Sequence, residues 1–306
     1  MKLLSRVRFC AAAVMIGCAA GLPAQGTGAK TFPTYQEAVD TLVAAQAGND
    51  VTELKLLLGP DAETLVSSGD PAGDEKSRKG FVEQYSQKHG YIHESPDRVV
   101  LTVGRTAWPM PFPIVKGDNG WYFDVADGAK ELVYRRIGRN ELDAIQVCKA
   151  LYKAQKTYAA TGHDGNPFGL YAQRIVSAPG TQNGLYWETK EGEPESPAGS
   201  LIADAASEGY DVQPRKPVPF HGYLYRVLRA QGPNAYGGEQ EYVKDGKMTG
   251  GFAILAYPAE YKASGVMTFL ANSRGMIRQK DLGEGTADAV AAIKSYDPDK
   301  TWTVVR

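Results

Sequence analysis

The chain runs helical spacing before strand alternation, and does so twice. Between residues 34 and 89 apolar positions recur every three or four residues, and between 97 and 127 they alternate. A second helical stretch at 128–161 is again followed by alternating runs, from 221 to 281. Helices followed by strands within each half specify the α+β class, with antiparallel sheets.

Local signals supply the boundaries. Thr34 with Glu37 three positions on forms a capping box, and Ala38, Leu42 and Ala45 follow on one face, predicting a helix over 35–47. In "NDVTELKLLLGP", Leu54, Leu57 and Leu58 face inward, and Gly59-Pro60 ends a second helix. Phe81, Tyr85 and His89 mark a third, over 74–89. "DRVVLTVG" alternates, and "PFPIVKGDNGWYFDVADG" reads as two strands joined at Asp118-Asn119-Gly120, a hairpin signal. The stretch "GAKELVYRRIGRNELDAIQVCKALYKAQKTYAATG" predicts a short helix near 128–136 and a long one from 141 to about 160. Asn140 is its N-cap, and Leu142, Ile145, Cys148 and Tyr158 lie on one face. Beyond a turn-rich segment come a strand near 221–230 and three more, in "GGFAILAYP", "GVMTFLANS" and "GMIRQKDLG", with "NSRG" as a tight turn. The expected architecture is α+β in two domains: helices plus a curved antiparallel sheet over 31–136, then one long helix plus an antiparallel meander over 140–306.

The N-terminus sets the compartment. Lys2, Arg6 and Arg8 precede the apolar "FCAAAVMIGCAAGL", and "LPA" offers cleavage after Ala24, so residues 1–24 read as a signal peptide. The apolar run falls short of the roughly 20 residues of a membrane span. A periplasmic or secreted protein is expected. "MIGC" also approximates a lipobox, with Met15 where Leu is usual. In that alternative Cys18 is lipidated, the protein is an envelope lipoprotein, and this anchor is its sole membrane attachment. The 34 basic and 35 acidic residues lose three bases with the leader, leaving an acidic chain and speaking against nucleic-acid binding. Cys148 is then the one cysteine of a chain cut after Ala24.

Chemistry-bearing motifs are sparse. No G-x-S-x-G, H-E-x-x-H, Walker loop, dinucleotide fingerprint or C-x-x-C occurs, and neither cofactor nor metal is expected. His89 and His93 have ligand spacing for a helix, but Gly90 and Pro96 oppose one; "HDGNP" at 163–167 reads as a turn. Arg135, Arg136 and Arg139 crowd five positions before the expected helix start, where the macrodipole disfavours cations. They are read as clamping acidic groups or carbonyls across the domain seam, with an anionic ligand site and a solvated surface as alternatives. Ser67, Ser68, Asp70, Asp74, Lys76 and Arg78 surround another helix start, where capping is set against anion binding. Tyr171, Tyr186, Trp187, His221, Tyr223 and Tyr225 offer flat faces with polar tips, suited to a glycan or peptide or, alternatively, to a core.

The strings "WPMPFPIVK", "RRIGRNELDAIQVC", "YAQRIVSAPGTQNGLYW", "HGYLYRVLRAQGP", "GKMTGGFAILAYPAEY" and "GVMTFLANSRGMI" resemble the bacterial exported family known as domain of unknown function 2950, over residue 31 to the C-terminus. The first half is also similar in pattern to NTF2-like or cystatin-like domains. The part from Asn140 resembles the globular part of type IV pilins, although here the helix follows a folded domain. The family implies no reaction. The leading expectation is an exported, non-catalytic binding or assembly protein whose partner is an envelope protein, a glycan or a small ligand. An envelope hydrolase pairing Ser177 or Ser196 with His221, and a purely structural surface protein, are the alternatives.

Overall fold

The computed structural model describes residues 28–126, 128–211 and 218–305. The expected signal peptide and Cys18 lie outside them.

The first half opens as its local signals dictate. Helix α1 (Tyr35–Ala47) starts at Thr34, whose hydroxyl accepts the Glu37 amide, and α2 (Val51–Leu58) starts at Asp50, whose carboxylate accepts the Glu53 amide. Gly59, in the left-handed region, ends α2. A 3-10 turn leads into the four-residue α3 (Glu63–Val66), and α4 (Pro71–Gln87) follows behind Asp70 as N-cap. The third helix therefore begins earlier than its apolar spacing indicates and stops before His89. That residue opens strand β1 (His89–Ser95), whose polar, largely exposed side chains conceal its alternation. His89 and His93 are thus about 13 Å apart along a strand, too far to share a metal ion. Strands β2 (Arg98–Val103), β3 (Trp108–Pro109), β4 (Ile114–Gly117) and β5 (Gly120–Phe123) complete an antiparallel sheet ordered β1-β2-β4-β5, with β3 beside β2. The β4–β5 hairpin turns at Asp118-Asn119, closed by the Gly117–Gly120 pair. Leu42, Leu54, Leu57, Leu101, Ile114 and Phe123 belong to one buried cluster between helices and sheet.

Helix α5 (Gly128–Ala160) is a single helix of 33 residues, roughly 50 Å long, and not the two helices expected. Asn140 is an interior, buried residue of it and not an N-cap. The buried stripe runs unbroken through Ala129, Val133, Ile137, Asn140, Ala144, Val147, Leu151 and Tyr158. The roughly 1 kcal/mol cost of Gly138 in a helix is small beside the packing on both sides of it. Leu142, expected inward, is exposed. Ala129 belongs to the first cluster, and Ala144 onward to a second.

The rest of the chain covers that second stretch of α5. Strands β6 (Arg174–Val176) and β7 (Gly184–Tyr186) pair in parallel, and α6 (Gly199–Ser207) follows. Strand β8 (Tyr223–Leu228) begins two residues later than expected, because His221 and Gly222 form a tight turn. Short pairings of β9 (Ala230–Gln231) with β10 (Gln240–Glu241) and of β11 (Val243–Lys244) with β12 (Lys247–Met248) intervene. Then β13 (Ala253–Pro258), β14 (Met267–Asn272), β15 (Ile277–Asp281) and, after α7 (Thr286–Ala292), β16 (Thr303–Val304) form the antiparallel order β16-β15-β14-β13-β8. Tyr223, Phe252, Ile254, Leu255 and Phe269 pack with Leu151 of α5 in this second cluster.

Candidate functional site

Helix α3 is too short to satisfy its own C-terminal carbonyls. The Ser67 amide takes that of Glu63; those of Thr64, Leu65 and Val66 receive no such bond. Two arginines from other helices supply the donors. Arg78 Nη2 donates to Val66 O at 2.7 Å, and Arg136 donates from Nη1 to Leu65 O at 3.2 Å and from Nη2 to Thr64 O. The remaining donor of Arg136, Nε, reaches Ala263 O between β13 and β14 at 3.0 Å, while the Asp74 carboxylate lies 3.7 Å away. Burial pulls the Arg136 guanidinium below its ordinary pKa, opposed by Asp74.

One turn further along α5, the Asn140 amide donates to Ser264 O at 2.9 Å, and the Glu141 carboxylate accepts the amides of Val266 and Met267 at 3.0 Å each. The middle of the helix thus grips the β13–β14 connection with three consecutive polar contacts.

A second set of contacts crosses nearby. Asp70 caps α4 by accepting the Gly73 amide at 3.1 Å, and its Oδ2 also accepts the Tyr210 hydroxyl at 2.9 Å and the Gly222 amide at 2.6 Å. Burial raises the Asp70 pKa and these three donors counteract it; burial followed by the nearby Asp70 raises that of Tyr210. The geometry depends on "FHGY". Phe220 and Tyr223 exchange backbone hydrogen bonds around His221 and Gly222, both at positive φ, as a type I′ turn requires. Gly222 has a further reason to be glycine, because a Cβ there would overlap the Asn140 amide.

These contacts frame a cleft in two chambers. The outer, of about 480 Å³, lies between α4, the middle of α5, Glu208, Tyr210 and His221. The inner, of about 220 Å³, is walled by leucines of α1, α2 and α3 with Phe81, Met110 and Phe112. Asp74, Ser77, Phe81, Trp108, Arg136 and Arg139 line both. In the outer chamber the His221 ring nitrogens lie 3.7 Å from Asp143 and from Glu208, and Lys76 is 2.9 Å from Glu208 Oε2. That oxygen is buried and has no hydrogen bond of acceptable angle, so Lys76 serves it as a charge alone.

Of the residues singled out in the sequence, Arg136, Arg139 and His221 meet in this cleft, together with Ser68, Asp70, Asp74, Lys76 and Arg78 of the helix-start group. Arg136 is a clamp on carbonyls. Arg139 is exposed and has no hydrogen bond or ion pair with any described residue. Arg135 pairs with Glu131 and lies over the Trp108 ring, 5.6 Å from its centroid. All three sit mid-helix, so the helix-start argument from the macrodipole does not apply to them. The aromatic group does not converge. Tyr223 is wholly buried, donating to Met267 O at 2.8 Å, and belongs to the core. Tyr186 and Trp187 line a separate open hollow of about 830 Å³ with Asp164 and Glu193, and Trp187 lies edge-on to Tyr158 and His163. Ser177 lines that same hollow and Ser196 is buried; neither lines the cleft that holds His221. Tyr210, Asp143, Glu208 and Trp108 also line the cleft and carry no sequence signal, whereas the helix-start group was read as capping set against anion binding. Among the described residues no group of three or more His, Cys, Asp or Glu side chains is placed to hold a metal ion, and no helix is long and apolar enough to cross a membrane.

A family model described as "Protein of unknown function (DUF2950)" matches residues 29–305. No curated protein and no solved structure matches the chain.

Proposed function

The chain belongs to that DUF2950 family, and we propose that it is an exported envelope protein that binds a small ligand, without chemistry of its own, in the cleft described above. The observation that carries the reading is Arg139. A guanidinium whose donors engage none of the described residues stands at the junction of two chambers whose other charged walls are held by hydrogen bonds or ion pairs. Preformed concave sites with few convergent polar groups are the usual form of small-molecule sites. The hydrolase alternative gains no support from Ser177 or Ser196, which lie apart from His221. Export rests on the leader sequence, and the NTF2-like and pilin-like resemblances rest on helix-then-strand order in each half.

Gly80 gives the test. It lines the outer chamber, and a Cβ at that position would meet nothing within 4 Å, so Gly80→Trp adds bulk at the wall of that chamber from a position with room for the start of a side chain. A thermal-shift screen of the mature protein against cell-wall fragments, sugars and small acids is expected to give stabilising compounds whose effect disappears in Gly80→Trp. Hits that survive in Gly80→Trp would place binding outside the outer chamber. N-terminal sequencing of protein from the exporting host is expected to begin near Gln25, or to show a lipidated Cys18; a retained Met1 would refute export.

A further inference from the structure

We infer that the ligand is a small amphipathic carboxylate, with its apolar body in the inner chamber and its carboxylate on Arg139; this rests on the cleft being the binding site. Size is the first argument. A dry apolar cavity of about 150 Å³ accepts a benzene ring, so the inner chamber, at about 220 Å³, has room for a substituted ring or a short acyl chain.

Charge is the second. The ionisable side chains lining the inner chamber are Asp74, Arg78, Arg136 and Arg139, an excess of two positive charges. Arg78 and Arg136 are committed to the carbonyls at the end of α3, and Asp74 accepts the Ser68 amide at 2.9 Å. Arg139 alone is free to form the paired N–H···O contacts that a guanidinium makes with a carboxylate. An ammonium ligand would meet repulsion at the same place.

Trp108 lines both chambers and reports occupancy through its fluorescence. The mature protein is titrated with phenylacetate, 4-hydroxyphenylacetate, hexanoate, 2-phenylethanol and 2-phenylethylammonium, with Trp108→Phe as the signal control. The acids are expected to bind a few-fold more tightly than the alcohol, as an ion pair on an exposed guanidinium confers, and the ammonium to bind most weakly. Arg139→Gln is expected to bring phenylacetate down to the affinity of the alcohol while leaving the alcohol unchanged. Equal affinities for acid and alcohol, or an Arg139→Gln protein that binds acids as the wild type does, would overturn the proposal. So would silence from every acid. If the thermal-shift screen still yields hits abolished by Gly80→Trp, the cleft reading stands and the ligand class alone is wrong; if it yields none, both fall.

Discussion

The cleft between α4 and α5 and the hollow beside Trp187 are built on different principles. The cleft is framed by side chains far apart in sequence: Asp70 bonds Gly222 across 152 positions, and Arg136 bonds Ala263 across 127. The hollow is made locally, within 164–193, and its hydrogen bonds join near neighbours, such as Gln182 to Asp164 and Gly184 to Ser177. Both contain residues of functional type. Buried donors fix the geometry of the cleft, whereas the hollow is shaped by turns that water can enter. A site that must be preorganised is better served by the first arrangement.

The largest expected effect lies in the clamp. Arg136→Ala leaves three carbonyls without their donor and Asp74 without its ion-pair partner, and should cost about 3–5 kcal/mol in denaturant unfolding. A loss below 1 kcal/mol would show that the cleft does not depend on it. Trp187→Ala should cost less, about 2 kcal/mol, because its ring is partly exposed and full burial would be needed for the 3–5 kcal/mol of a core aromatic. Equal costs at the two sites would dissolve the contrast, and loss of glycan binding in Trp187→Ala would give the hollow a role of its own.

A subtler difference concerns protons. The folded-state pKa of Asp70 is raised, mainly by burial, so the native chain holds this proton more tightly than the unfolded one. Stability from that source is complete below the ordinary value of 3.8 and is lost as pH climbs through the folded value. Asp70→Asn cannot ionise, so its stability relative to wild type should improve from about pH 4 upward. A difference that is flat or opposite in slope across this range would show that the three donors outweigh burial. The smallest effect is expected for Arg139→Ala, within about 0.5 kcal/mol of wild type, since it has no partner among the described residues to lose. A larger loss would reveal a structural duty and weaken its role as a ligand anchor.

Local chemistry explains which parts were legible in the sequence. Thr34, Asp118-Asn119 and the alternating Val99, Leu101 and Val103 act on their immediate neighbours, and α1, the β4–β5 hairpin and β2 lie where they indicate. Strand β1 was hidden because its partner strand, and not its own composition, holds it extended. The break placed at Asn140 was a plausible cap made irrelevant by Ser264, a partner 124 positions away. The cleft was illegible for the same reason: Tyr210 and Trp108 stand in no motif, and only folding brings them to Asp74 and Arg139.

The unbroken α5 carries a consequence for how such chains can vary. Each residue added to a helix turns everything beyond it by about 100°. A single insertion near Gly138 would therefore swing Asn140 and Glu141 off the β13–β14 connection while leaving Arg136 where it is. Substitutions along the exposed side of this stretch are cheap, but a change in its length is not. In related chains of this architecture, gaps and insertions should fall in the connecting loops and spare residues 136–141, so the spacing from Arg136 to Glu141 works as a fixed ruler even where the letters between them drift.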